Sequence, residues 1–342
     1  MNNTKNIAST LIKWYQEQSH AAFPWRNDQD DIYRVWISET MLQQTTVHTI
    51  AQRYPTFIET FPTVNALAQA HVNTVMEQWA GLGYYARARN LHRAAQIMVA
   101  QGYPTTPETW ESLPGIGPYI AHAISAIAQQ QPTIGIDVHV KRILHRIHPP
   151  TIEYTPKALQ IYADTYATKE PRIVQQAFFD IGRQFCRPYT PDCTQCPIAQ
   201  QCASANTITD PRPPRKKRAK PQRVGHAYAI IQQDTIYMVR RPPHGLLGGT
   251  LALPSIGWSE QDDNVDTTQA WKDIGNITHS FSHFDLTMHV HYIDATTYHA
   301  PLPIDGAWIN INTQVKTNSL FRKCIAQIYP HDTQPTNIPE TE

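Results

Sequence analysis

No apolar run in the 342-residue chain is long enough to cross a bilayer, and the polar start MNNTKNIAST lacks a signal-peptide core. The expectation is a cytoplasmic protein with no membrane partner. Net charge is almost absent, since 29 Lys and Arg against 28 Asp and Glu leave +1. No global field announces a nucleic acid, so any basic footprint must be local. Cysteine is scarce. Of five, Cys186, Cys193, Cys196 and Cys202 fall within seventeen residues and Cys324 stands apart. In a reducing compartment such clustering points to metal rather than to disulfides. The length leaves room for two domains, each with its own core.

What is present is organised around Leu113 to Asp137, LPGIGPYIAHAISAIAQQQPTIGID. A helical run ends at Ser112, a turn pinned by Gly115 and Gly117 follows, and Pro118 restarts an apolar helix through Ala128. This is a helix-hairpin-helix. Its glycines permit the sharp turn and leave amide N–H groups open at the helix start, a site suited to a DNA phosphate. Asp137 then precedes the basic helix Val138-His139-Val140-Lys141-Arg142. Either half alone also fits a plain helical turn and an N-cap aspartate.

Upstream, Ile7, Leu11, Trp14 and Tyr15 put one apolar stripe on an opening helix predicted to start near Ser9. Trp25 and Arg26 then pair an aromatic ring with a guanidinium, a combination able to hold a flat heterocycle. Glu39 sits among Val35, Trp36, Ile37, Met41 and Leu42. Partial burial there would raise its pKa and let it hold a proton near neutrality, as a general acid must. Gln43, Gln44 and Thr45 follow as a polar cluster suited to base edges. In Gly81-Leu82-Gly83-Tyr84-Tyr85-Ala86-Arg87, glycines flank a leucine predicted to be exposed, a wedge for an opened base stack or an ordinary helix junction.

The cysteines are spaced C-x6-C-x2-C-x5-C. Two C-x2-C zinc knuckles would need other spacing, so an iron-sulfur cluster is placed ahead of zinc. A linker with Pro211, Pro213, Pro214 and Pro221 among Arg215, Lys216, Lys217 and Arg218 separates this region from one of different periodicity. Ala227–Ile231 and Ile236–Val239 read as paired strands. Leu286, Met288, Val290 and Tyr292 alternate with polar residues, and Leu320, Cys324 and Ile328 mark a closing helix in which Cys324 is a core residue. Predicted boundaries are 1–205 for a mainly α domain holding the cysteine loop 186–202, 206–224 for the linker, 225–330 for an α+β domain and 331–342 for a disordered tail.

In order, SETMLQQT, GLGYYARARNL, LPGIGPY, the Asp137 helix, the four cysteines and FSH at 281–283 resemble the MutY family of adenine DNA glycosylases over nearly the whole chain. The resemblance implies a helix-hairpin-helix glycosylase with two helical subdomains and a [4Fe-4S] loop, joined to a Nudix-like domain. The implied reaction removes adenine mispaired with 8-oxoguanine, or with guanine, from double-stranded DNA, by a monomer. It implies Glu39 as the acid that protonates adenine and later helps activate water. Asp137 would stabilise the positively charged sugar, through charge or a transient covalent adduct. Trp25, Arg26 and Gln176 would line the adenine pocket. Gln44, Thr45, Leu82 and Tyr84 would fill or prop the opened duplex. Phe281, Ser282 and His283 would recognise 8-oxoguanine, with Ser282 as the hydrogen-bonding residue. Gly115 and Gly117 would hold DNA phosphate, and the four cysteines would bind the cluster.

Three departures bear on this. Tyr119 occupies the active-site position where bifunctional relatives of the endonuclease III type carry a lysine, so Schiff-base strand cleavage is not expected. The second domain has no REUxEExGU run, so it should recognise rather than hydrolyse. The loop RPYTPD between Cys186 and Cys193 is less basic than in many relatives. The alternatives are a glycosylase-lyase for oxidised pyrimidines, a non-catalytic iron-sulfur DNA-binding protein and, weakest, a Nudix hydrolase.

Overall fold

A computed structural model describes residues 2–18, 23–148, 155–205, 207, 219–261, 265–313 and 315–329. The basic run Arg215–Arg218 and the tail 331–342 lie outside the described residues. By its contacts the chain divides into two units, one made of residues 1–70 and 89–216, the other of 71–88 and 217–342. The segment 71–88, read from sequence as part of the helical domain, thus goes with the strand-rich unit.

The first unit is helical. It contains α1 (Asn2–Gln16), α2 (Ile32–Leu42), α3 (Val47–Thr60) and α4 (Val64–Gln69). α5 (Val72–Gln78) falls in the other unit, and α6 (Ala86–Gln101) returns the chain to the first. There follow α7 (Pro107–Glu111), α8 (Pro118–Ile127), α9 (Val138–Ile147), α10 (Pro156–Asp164) and α11 (Pro171–Gln184). Starts are written in the sequence. Asp31, Thr46, Thr63 and Asp137 cap their helices through side-chain oxygens, and Pro118, Pro156 and Pro171 stand in first turns, where a missing N–H costs nothing. α1 begins at Asn2 rather than near Ser9. Thr10 Oγ1 bonds back to the Asn6 carbonyl, so this polar pair lies inside the helix and does not cap it.

Two helical groups result. Ile7, Leu11 and Tyr15 of α1 share a core with Val140, Ile143 and Leu144 of α9, Leu159 of α10 and Phe178 and Ile181 of α11. α2 packs on α3 and α8, while α8 also meets α7 and α11. The hairpin between α7 and α8 is as expected. Gly115 has φ +80, and a Cβ there would sit 2.7 Å from the Asn90 Cβ, so only glycine satisfies both the turn and the packing on α6. Gly117 caps α8 from an extended conformation with open space around it.

The second unit is a seven-stranded mixed sheet. β1 (Gln222–Gln232), β2 (Thr235–Arg240), β3 (Leu251–Ala252), β4 (Ser255–Ser259), β5 (Lys272–Ser280), β6 (Asp285–Asp294) and β7 (Gly306–Asn310) pair in the order β3-β2-β1-β6-β5, with β4 on β1 and β7 on β2. Among the described residues only β1 and β6 run parallel. Leu286, Met288 and Val290 point into a core closed by Leu320, Phe321 and Cys324 of α12 (Ser319–Ile328). The alternation read from sequence is this two-residue period. Among the described residues no helix is long and apolar enough to cross a membrane.

Candidate active site

A cavity of about 560 Å³ lies in the helical unit, where the turn Pro24–Arg26, α2, α8 and α11 converge. Trp25, Arg26, Glu39, Tyr119 and Gln176 all line it. These residues are up to 151 positions apart, between Trp25 and Gln176, and the fold brings them to one place.

Glu39 is buried in the apolar centre of α2, as its neighbours in sequence suggested. Burial pushes its carboxyl from the ordinary 4.5 up to about 7, helped by the charge of Asp137 and opposed by Tyr119 and Arg26. Tyr119 Oη donates to Glu39 Oε2 at 2.9 Å. The phenol itself is held well above its ordinary range by burial and by the two nearby carboxylates. The phenol therefore stays a donor and fixes the orientation of the acid. Oε1 carries no hydrogen bond among the described residues, which leaves it to hold the proton.

Arg26 is not a free donor for a ligand at both ends of its fork. Nη1 and Nη2 bond to Asp180 Oδ2 and Oδ1 at 2.7 and 2.9 Å, with both side chains buried. The guanidinium also lies over the Phe23 ring at 4.7 Å and the Tyr15 ring at 5.6 Å. It forms a fixed, charged wall of the cavity. Tyr15 Oη donates to Gln176 Oε1, so the amide Nε2 is the end of Gln176 left to a ligand. Burial raises the Tyr15 phenol to about 12, which keeps it a donor. Trp25 is a core residue at the cavity wall, packed edge-on against Tyr54.

Asp137 is not among the lining residues, yet its charge reaches both Glu39 and Tyr119. It caps α9, accepting from His139 N at 2.9 Å and Val140 N at 2.7 Å. Both bonds fall on Oδ1, so Oδ2 is unbonded among the described residues. The approach to it is clamped. Gly135 N donates to Gln175 Oε1 at 2.6 Å, and a Cβ on Gly135 would lie 2.7 Å from the Tyr119 carbonyl. The carboxylate is therefore placed by backbone on both sides.

The basic helix α9 turns two of its arginines inward. Arg142 donates to the Cys186 and Gly182 carbonyls at 2.6 and 2.8 Å, and Arg146 to the Arg187 and Pro188 carbonyls, each at 2.7 Å. They tie the Asp137 helix to the cysteine loop. Cys186, Cys193, Cys196 and Cys202 are free thiols lining one cavity of about 370 Å³ with Ile143, Ile147, Phe185 and Ile198. Arg146 Nη1 donates to Cys186 Sγ at 3.3 Å. Burial, and repulsion from the other three sulfurs, pushes the Cys196 thiol up to about 11. Among the described residues no group of three or more His, Cys, Asp or Glu is placed to hold a metal ion, the four thiols included. Cys324 is fully buried in the other unit, as expected of a core residue.

The remaining residues do not join the cavity. Gln44 and Thr45 form the turn after α2, with Gln44 at φ +53 and exposed. Leu82 is buried, not exposed as the flanking glycines suggested. The turn folds on itself through Leu82 N to the Trp79 carbonyl and Trp79 Nε1 to the Gly83 carbonyl, and its apolar tip is withdrawn from water. Tyr84 is the exposed side chain, on a left-handed backbone at φ +45. Phe281, Ser282 and His283 form the β5–β6 hairpin tip, closed by Phe281 N to the Phe284 carbonyl at 2.9 Å. Ser282 and His283 are exposed there, and Phe281 packs on Phe284. Sequence reading missed Asp180, Tyr15 and Gln175. The available signal was Arg26, since a buried guanidinium demands an acid, and the helical spacing of Gln176 and Asp180 puts both on one face.

Residues 37–164 match the family described as "HhH-GPD superfamily base excision DNA repair protein", and residues 226–327 match "NUDIX domain". The chain is similar to the adenine DNA glycosylase of Homo sapiens, 28% identical, with 88% of this chain and 69% of that protein covered. It is 30% identical to the adenine DNA glycosylase of Rattus norvegicus, over 82% of this chain and 69% of that protein. A solved thermostable thymine-DNA glycosylase has the same helical fold, with TM-score 0.55 and 22% identity over 60% of this chain and 98% of that one. A buried acid and a helix-capping aspartate, in a helix-hairpin-helix fold joined to a Nudix-like domain, accompany this likeness along most of the chain: the protein belongs to the adenine DNA glycosylase family.

Proposed function

We propose that the protein excises adenine paired with 8-oxoguanine, or with guanine, from double-stranded DNA in the cytoplasm. It would hydrolyse the N-glycosidic bond without cutting the backbone, as a monomer carrying a [4Fe-4S] cluster. Adenine excision in base excision repair is the activity of the family. The observation that carries the finer reading is Glu39, a carboxyl at about 7 on the wall of a cavity of about 560 Å³.

Adenine reaches the cavity by leaving the base stack, at a cost of roughly a few kcal/mol that is lower for a mispair. Gln176 Nε2 and the Arg26 wall hold it. The Glu39 proton passes to a ring nitrogen of adenine, the C1′–N9 bond breaks, and its electron pair leaves with the base. The positive charge left on the sugar is opposed by the Asp137 carboxylate, whose Oδ1 is already held by two amides. Water then adds to C1′, and its proton goes to the Glu39 carboxylate, which restores the acid. Tyr119 keeps Glu39 oriented throughout. It offers a phenol rather than an amine, so no Schiff base forms at that position.

Gly115 and Gly117 would present the start of α8 to a backbone phosphate. Tyr84, with Leu82 behind it, and Gln44 and Thr45 would fill the opened duplex. Ser282 would bond the 8-oxoguanine, with Phe281 and His283 shaping the hairpin. Cys186, Cys193, Cys196 and Cys202 would hold the cluster, and its binding energy would order the loop that Arg142 and Arg146 fasten to α9.

The test is single-turnover cleavage of a labelled duplex carrying adenine opposite 8-oxoguanine, with and without alkali, beside one carrying thymine glycol. Breaks at the adenine that require alkali are expected. Breaks at thymine glycol without alkali would mean a glycosylase-lyase instead.

A further inference from the structure

We propose that Glu77 and Arg240 are positioning residues whose ion pair holds α5 on the strand-rich unit and thereby sets the 79–85 turn. The functional consequence rests on the reading of that turn as the element that enters the duplex.

Arg240 closes β2, and its backbone N bonds to the Asp305 carbonyl at 3.2 Å. Its Nη1 donates to the Gly249 carbonyl at 3.0 Å, which aims the fork, and Nη2 reaches Glu77 Oε1 at 3.3 Å. Glu77 lies in the last turn of α5, and the chain beyond it is bonded stepwise. Ala80 N donates to the Glu77 carbonyl and Leu82 N to the Trp79 carbonyl, while Trp79 Nε1 donates to the Gly83 carbonyl. Trp79 is fully buried. The turn is therefore tied to α5 at its start, and Arg87 Nη2 of α6 donates to its Leu82 carbonyl at 3.1 Å. On its far side Gly81, at φ +93, lies close enough to α12 that a Cβ would meet Arg322 Nη2 at 3.5 Å.

Met76 and Ala80 are buried beside Thr250, Leu251 and Thr317, so α5 already packs against this unit. Apolar contact has no direction, and the charge pair, with one partner locked by a backbone carbonyl, supplies it. Tyr84 and the Ser282 hairpin then belong to one contact unit, separate from the unit that holds Glu39. Reading of the opposite base and opening of the stack are set from the same piece of protein.

The test uses the full chain with Glu77→Arg, Arg240→Glu, the neutral Arg240→Gln and the combined swap of Glu77→Arg with Arg240→Glu. Amide hydrogen exchange across 79–85 in the free protein should quicken about two- to five-fold in each single variant, the range for a partly exposed pair. It should return to the wild-type rate in the swap. With DNA, 2-aminopurine beside an adenine–8-oxoguanine mispair should brighten less in the single variants and recover in the swap. Unchanged exchange in the single variants, or a swap that does not restore it, overturns the proposal. If exchange behaves as stated but the wild-type protein does not brighten the probe, the ion pair positions the turn and the wedge reading falls.

Discussion

Replacing Glu39 by Gln should abolish excision and make the protein more stable above neutral pH. The carboxyl rises from 4.5 to about 7 on folding because burial penalises its charge. A group raised in the fold favours folding below its unfolded value, and that contribution is lost as pH rises through the folded one. At about 1.4 kcal/mol per pH unit, ionised Glu39 costs about 3 kcal/mol at pH 8. Gln is neutral and nearly the same shape, and its carbonyl still accepts from Tyr119. The variant should therefore melt about 6–12 °C higher at pH 8 for a unit of this size and lose the advantage near pH 4. Calorimetry across that range measures it, with mispair binding as the control for an intact site. Equal stability at pH 8, or a difference independent of pH, would refute the burial argument.

Asp137→Asn should reduce single-turnover excision by about 10²–10³ while changing stability by less than about 0.5 kcal/mol, because Asn caps a helix as well as Asp does. A large fall in melting temperature would mean that Asp137 is structural. Asp180→Asn removes the carboxylate charge that the buried Arg26 fork holds and should cost about 3–5 kcal/mol by denaturant titration. Ser282 is exposed, so Ser282→Ala should leave stability unchanged and lower the preference for 8-oxoguanine over guanine opposite adenine, read as the ratio of excision rates. Deleting Arg215–Arg218 should flatten the dependence of DNA binding on salt, and an unchanged slope would make that run a tether only.

Much of the site was legible because its signals are local. The apolar neighbours of Glu39 announce its burial, Asp137 stands where a helix must be capped, and the glycines of LPGIGPY dictate the hairpin. What was not legible depends on contacts across the chain. Tyr119 meets Glu39 from 80 residues away and Asp180 meets Arg26 from 154, and no local pattern encodes either pairing. Leu82 was misjudged for a related reason. Glycines locate a turn, but which side chain it turns outward is decided by what packs beneath, here leaving Tyr84 exposed. Val138 to Arg142 read only as a basic helix, yet Arg142 and, one turn on, Arg146 serve carbonyls of the cysteine loop. The assignment of 71–88 to the strand-rich unit follows from packing and from Glu77, and a lone glutamate on a short helix carries no sign of its partner.

The most direct test of the central claim is the titration of Glu39 itself, by difference infrared spectroscopy of the carboxyl with Glu39→Gln as the subtracted reference. A protonated carboxyl band that is half lost near pH 7 is the predicted result. A carboxylate already ionised at pH 5 would contradict the account, since Glu39 would then have no proton to give adenine at neutral pH.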